Sequence, residues 1–139
     1  MPPIYLTGVV IICAVQNEAV KHGSCVYMRA VTQASPRPEV VAATFQKMVE
    51  LSPPEGVHRL NAVFEYFVLN KVASVPHGTM AFGNRGTHQN VLGTCVWQEN
   101  TPENQAIGRE KCCAMTDVIA GFQTDIEFSK TRSYGNYGT

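Results

Sequence analysis

The sequence predicts an α+β fold: an antiparallel β-sheet with two main helices packed on one face, the other face forming a ligand pocket or a dimer interface. Three observations predict it. Short runs rich in β-branched and aromatic residues have strand length and strand composition. Two longer segments carry apolar residues at three-and-four spacing, the signature of amphipathic helices. The order is strand, strand, helix, strand, strand, helix, end strand, which is an α+β order. The chain has 139 residues with 45% hydrophobic and 16% charged. That suits one domain spanning residues 1–139 with a sizeable core, and argues against disorder.

The first run, Ile4–Val15, is continuous and β-branched, like a strand covered on both faces. It is shorter than the roughly 20 residues that span a bilayer. No basic residue precedes it, unlike a secretory leader, so a cytoplasmic location is favoured, with a trimmed or rebuilt leader left open. Gln16–Gly23 is polar and reads as a helical turn ending at Gly23. Ser24–Thr32 alternates loosely and is a strand. Ser35 is positioned to cap a helix over Pro38–Leu51, with proline tolerated in its first turn. Val40, Val41, Thr44, Phe45, Met48, Val49 and Leu51 give that helix its apolar spacing. Ser52–Gly56 ends it.

His58–Asn70 has the strongest strand propensity. Ala62, Phe64, Tyr66 and Val68 share one face, and Val63, Glu65, Phe67 and Leu69 the other. Ala73–Gly86 is a loop. Asn90–Trp97 is the next strand. Asn90, Leu92, Thr94 and Val96 lie on one face, opposed to Val91, Gly93, Cys95 and Trp97. Gly93 in mid-strand marks a close approach by a ligand or another backbone. Thr101 as N-cap and Pro102 at the first position start a second helix, which runs to about Phe122. Ala106, Ile107, Glu110, Cys113, Ala114, Asp117, Val118 and Gly121 carry it. The tail Ser133–Thr139 returns to the sheet.

Eleven basic residues balance eleven acidic ones. A neutral chain is not built to attract nucleic acid or an acidic membrane at long range. It also repels its own copies weakly, which favours a homodimer. Five cysteines are an odd number with no C-x-x-C spacing, so neither a disulfide framework nor a structural zinc is expected. They read as small buried hydrophobes. No glycine-rich phosphate loop, no G-x-S-x-G elbow and no histidine pair with metal-ligand spacing occurs. No metal and no cofactor is expected.

What remains is a set of neutral hydrogen-bonding groups: Tyr66, Asn90, Thr94, Tyr134, Asn136 and Tyr137. Tyrosine donates or accepts a proton, and asparagine binds a carbonyl or a developing oxyanion. Each is also an ordinary sheet-edge residue taken singly. His88 precedes the central strand, near the expected pocket mouth.

The segments HRLNAVFEYFVLN, MAFGNRGTHQNVLGTCVWQENTPENQAIGRE and SYGNYG resemble the C-terminal, substrate-binding half of berberine-bridge-type FAD-linked oxidases. The similarity covers about residues 24–139. The Phe82–Arg85 loop, the Cys95–Trp97 strand end and Tyr134-x-Asn136-Tyr137 each find a counterpart. The resemblance implies that Tyr66 contacts substrate, that Asn90 stands where many members carry a glutamate base, and that Tyr134 and Tyr137 lie near substrate. The flavin-binding portion of those oxidases has no counterpart, and Asn84 replaces the loop histidine. Hydride transfer needs an acceptor. The resemblance therefore implies the pocket without the redox chemistry, as in flavin-less fungal hetero-Diels–Alderases of tropolonic sesquiterpenoid pathways.

The expected function is a cofactor-independent cyclase of secondary metabolism. It would join a hydrophobic polyene or terpene to an enone or quinone methide by holding a near-attack geometry. Tyr66, Asn90, Tyr134 and Tyr137 are the expected catalytic residues. Phe64, His88, Leu92, Thr94, Val96 and Asn136 are the expected substrate contacts. A substrate-binding subunit of a flavin oxidase and a non-catalytic small-molecule binder remain the alternatives.

Overall fold

In the computed structural model of the chain, residues 21–76, 79 and 88–123 are described. They form β1 (Cys25–Gln33), α1 (Pro38–Leu51), β2 (Arg59–Glu65), the single turn α2 (Asn70–Ala73), β3 (Gln89–Trp97) and α3 (Pro102–Gly121). The three strands make one antiparallel sheet of order β1-β3-β2. The fold is thus α+β, as the element order predicts. The expected strand Ile4–Val15 and the tail Ser133–Thr139 lie outside the described residues.

Gly23 opens β1. Ser24 N–H donates to Lys21 O at 3.0 Å across a turn that puts Gly23 at φ 85°. Glycine enters that left-handed region without a Cβ penalty. β1 then pairs along its whole length with β3, from Cys25 opposite Trp97 to Gln33 opposite Gln89.

α1 has the predicted bounds, but its N-cap is Arg37 rather than Ser35, and no side chain caps it. Arg37 instead pairs with Glu39 at 2.9 Å and donates to Phe122 O at 3.0 Å, fastening the start of α1 to the end of α3. Only Val40 and Thr44 of α1 are buried, while Phe45 and Val49 are well exposed.

β2 stops at Glu65, five residues before the predicted end. Beyond it, the Gln89 side chain takes the place of a strand. Its Oε1 accepts from Phe67 N–H at 2.9 Å and its Nε2 donates to Phe67 O at 3.0 Å. Backbone groups satisfied this way need no ladder. The apolar composition of Phe67 and Val68 suggested more strand than tertiary contacts support, and both are exposed.

α3 begins as predicted, with Thr101 Oγ1 accepting from Asn104 N–H at 3.2 Å. Its buried stripe is Gly108, Cys112, Met115, Thr116 and Ile119. That stripe is rotated from the predicted one, so Glu110 and Asp117 reach solvent. Asp117 and Thr116 hold Arg29 of β1 at 2.7 and 2.9 Å.

Both long helices cover one face of the sheet. Leu60, Cys95, Trp97, Cys112 and Met115 form one core cluster. Val31, Val40, Val91 and Ile119 form the other. Cys95 and Cys112 are fully buried, as small hydrophobes; Cys25 and Cys113 are half-buried. Gly93 is the point of closest approach, but to α3 rather than to a ligand. A Cβ there would press into Thr116 Cγ2 and sit 2.8 Å from Met115 Cε. Among the described residues, no helix is long and apolar enough to cross a membrane.

Candidate functional site

Alternation along an antiparallel sheet assigns each residue to a face. The helices cover Val91, Gly93, Cys95 and Trp97 of β3. The opposite face, free of the two long helices, carries Asn90, Leu92, Thr94 and Val96. Across from these lie Thr32, Ala30, Met28 and Val26 of β1, and Glu65, Val63, Asn61 and Arg59 of β2. The middle of this face is apolar and partly open, with Met28 at 40% and Val63 at 49% exposure. Asn61 Nδ2 donates to Thr94 Oγ1 at 3.4 Å, which places the Thr94 hydroxyl within it.

One end of the face is polar. His88 stands one residue before β3, in phase with Asn90. Asn90 Oδ1 and His88 Nδ1 are both buried, and neither has a hydrogen-bond partner among the described residues. A buried polar atom without a partner costs about 1–3 kcal/mol. Glu65 is the β2 residue directly opposite Asn90. Cross-strand neighbours have Cβ atoms about 4.5–5.5 Å apart, so a carboxylate stands beside the amide. Glu65 has no cation within ion-pair distance among the described residues.

Glu65 is the functional candidate that the sequence reading passed over. It lay on the face opposite Tyr66, and only the register with β3 brings it to Asn90.

Two expected site residues lie on the other face. Phe64 is paired with Val91 and packs into the core under α1 and α3, away from Leu92 and Val96. It is core rather than a substrate wall. Tyr66 follows the same phase. Its hydroxyl donates to Gln33 Oε1 at 3.2 Å, and Gln33 is fully buried on the helix side. Partial burial pushes the Tyr66 phenol up from its ordinary value. Tyr66 therefore fixes a core amide and does not converge with Asn90. Val96 is on the expected face but is itself buried, at the wall of a shallow cleft of about 470 Å³ with Val57 and Arg59. Tyr134, Asn136 and Tyr137 lie outside the described residues.

Among the described residues, no group of three or more His, Cys, Asp or Glu is placed to hold a metal ion. What is present is Glu65 directly across from Asn90, with His88 two residues before it, at one end of a partly apolar sheet face. The chain is a small α+β protein with one sheet face not covered by its two long helices. Comparison with family models, with curated proteins and with solved structures finds no match to this chain.

Proposed function

We propose that the open sheet face binds a hydrophobic small molecule and that the protein catalyses its cyclisation. The observation that carries this reading is the pair of unpartnered buried atoms, Asn90 Oδ1 and His88 Nδ1, beside Glu65 at the end of the apolar row Met28, Val63 and Leu92. Asn90 Oδ1 accepts a hydrogen bond, so it suits a hydroxyl. An imidazole and a carboxylate are the side-chain types that serve as general acid and base.

A hydroxymethyl-bearing enol, such as a tropolone, fits these groups. Its C–O bond breaks, the departing hydroxyl takes a proton relayed by His88, and the ring hydroxyl gives its proton to Glu65. Water leaves, and a quinone methide forms. The enzyme returns to its starting state when Glu65 releases its proton to solvent and His88 takes one up from solvent. The quinone methide then adds to an alkene of a polyene or terpene in a hetero-Diels–Alder step that transfers no proton. The apolar row supplies orientation for that step. A second copy of the chain covers the sheet surface that substrate leaves bare, which makes the working form a homodimer.

The test uses the purified full chain, a hydroxymethyl tropolone and a sesquiterpene triene, with product measured by chiral chromatography. Turnover with a single stereoisomer is expected, falling about 100-fold or more in Glu65→Gln and His88→Gln. Phe64→Leu and Tyr66→Phe should keep the stereochemical outcome. Product formed at the uncatalysed rate, or a protein that purifies yellow with flavin, would overturn the reading. Native mass at twice the chain mass is expected in the same preparation.

A further inference from the structure

The opposite end of β3 carries a second site. Asn90 and Trp97 are seven residues apart on that strand, a separation of roughly 23 Å at about 3.3 Å per residue. Around Trp97 lies a cleft of about 660 Å³, within the size range of small-molecule sites. It runs between the start of β1 and the first turns of α3. Two aromatic side chains, Tyr27 and Trp97, line it.

The helix side of the cleft is built at regular spacing. Gln105, Ala106 and Arg109 are one, three and four residues apart and share a face of α3. Among the described residues, Arg109 is the only charged one lining the cleft. Its guanidinium lies 5.9 Å from the centre of the Tyr27 ring and has no carboxylate within ion-pair distance among the described residues. Tyr27 is held from behind by a contact of its hydroxyl with Cys113 Sγ at 3.9 Å. Gln105 Nε2 donates to Asn100 Oδ1 at 2.7 Å, which leaves the other half of each amide for a ligand.

Trp97 is shared between this cleft and the smaller one beside Val57 and Arg59. It is 5% exposed, and its Nε1 is buried with no hydrogen-bond partner among the described residues. An indole N–H only donates, so an unpartnered one calls for an acceptor. The indole edge formed by Cε3 and Cζ3 is the one that packs on Gly108. Nε1 is on the opposite edge of the ring system.

We infer that this cleft binds a small aromatic carboxylate. Its ring lies among Tyr27, Trp97 and Ala106, and its carboxylate lies on Arg109. A flat ring matches aromatic walls. The carboxylate matches a planar guanidinium that has no acidic partner among the described residues. The site is separate from the sheet face and stands whether or not the cyclase reading does.

The chain has a single tryptophan, so its indole N–H gives one unambiguous proton resonance. The probe is indole-3-acetate, with indole-3-ethanol as its neutral counterpart, titrated into the full-length protein at low salt. A saturable shift of the Trp97 indole resonance is expected, with the acid at least tenfold tighter than the alcohol. Arg109→Gln should remove that preference, and 0.5 M salt should weaken it. Ala106→Leu should block binding of both probes by filling the cleft. The half-buried Cys25 thiol also lines the cleft. Its alkylation by iodoacetamide, located by peptide mass spectrometry, should slow when the acid is bound. No saturable shift, equal affinity for acid and alcohol, or an acid preference that survives Arg109→Gln would each overturn the inference.

Discussion

Replacing Gly93 by alanine tests how closely α3 is seated on the sheet. The added Cβ presses into Thr116 Cγ2 and lies 2.8 Å from Met115 Cε. Met115 is unbranched and can swing aside. Thr116 cannot, because it is β-branched on a helix and its hydroxyl is engaged by Cys112 O at 2.9 Å and by Arg29. Overpacking of this kind costs about 1–3 kcal/mol. The alanine also restricts the unfolded chain, which returns about 0.4–1 kcal/mol. The net expectation is a loss of about 1–2 kcal/mol. Thr116→Ser removes Cγ2 and keeps the hydroxyl, so the double variant should recover about 1 kcal/mol of the Gly93→Ala loss. The assay is urea unfolding followed by fluorescence of Trp97, which is buried against the same helix. Gly93→Ala as stable as the parent, or a cycle with no coupling, would refute the close seating of α3.

Three further outcomes follow from the same packing. Burial pushes the Cys95 thiol up from 9.0 to about 11 and the Cys112 thiol to about 12. Their contribution to stability is complete below pH 9 and is lost as pH rises, because only the unfolded chain releases these protons. The slope should be about 1.4 kcal/mol per pH unit for each thiol above pH 9, and Cys112→Ala should reduce it, as read by urea midpoints from pH 8 to 10.5. Thr101→Ala removes the α3 cap and should cost about 1 kcal/mol in the same assay, with Thr101→Ser restoring most of it. Tyr66→Phe deprives Gln33 Oε1 of its donor and adds to Gln33 Nε2, which has no partner among the described residues, so a loss of about 1–3 kcal/mol is expected in the same assay.

The sequence was informative where one local rule decides the outcome. The Thr101-Pro102 start of α3, the Pro38–Leu51 helix and the alternation in β3 each depend on neighbours within a few residues. The face of α3 was less legible. Gly108, Cys112 and Thr116 are small or polar and add little to an apolar periodicity, yet they are buried because Trp97, Gly93 and Arg29 fit against them. The end of β2 was hidden for a similar reason: Gln89 satisfies the Phe67 backbone from another strand. The cleft at Trp97 needed two distant segments of the chain to be brought together, the start of β1 at Cys25 and the start of α3 at Pro102. Nothing in either segment alone announces it.

The candidate site shows how the core can choose a functional residue. Tyr66 and Glu65 are adjacent, and either has chemistry to offer Asn90. Only one of them can face it. Leu60, Ala62 and Phe64 must point toward the helices, where Leu60 is 6% exposed and Phe64 packs on Val91 and Ile119. A one-residue slip of β2 would bring Tyr66 toward Asn90 and turn those three side chains out of the core. Losing the burial of Leu60 and Phe64 alone would cost about 1.5–3 kcal/mol each. That is far more than one hydrogen bond at the site returns, about 0.5–1.5 kcal/mol. Packing on the covered face therefore sets the register, and the register delivers a carboxylate rather than a phenol to the open one.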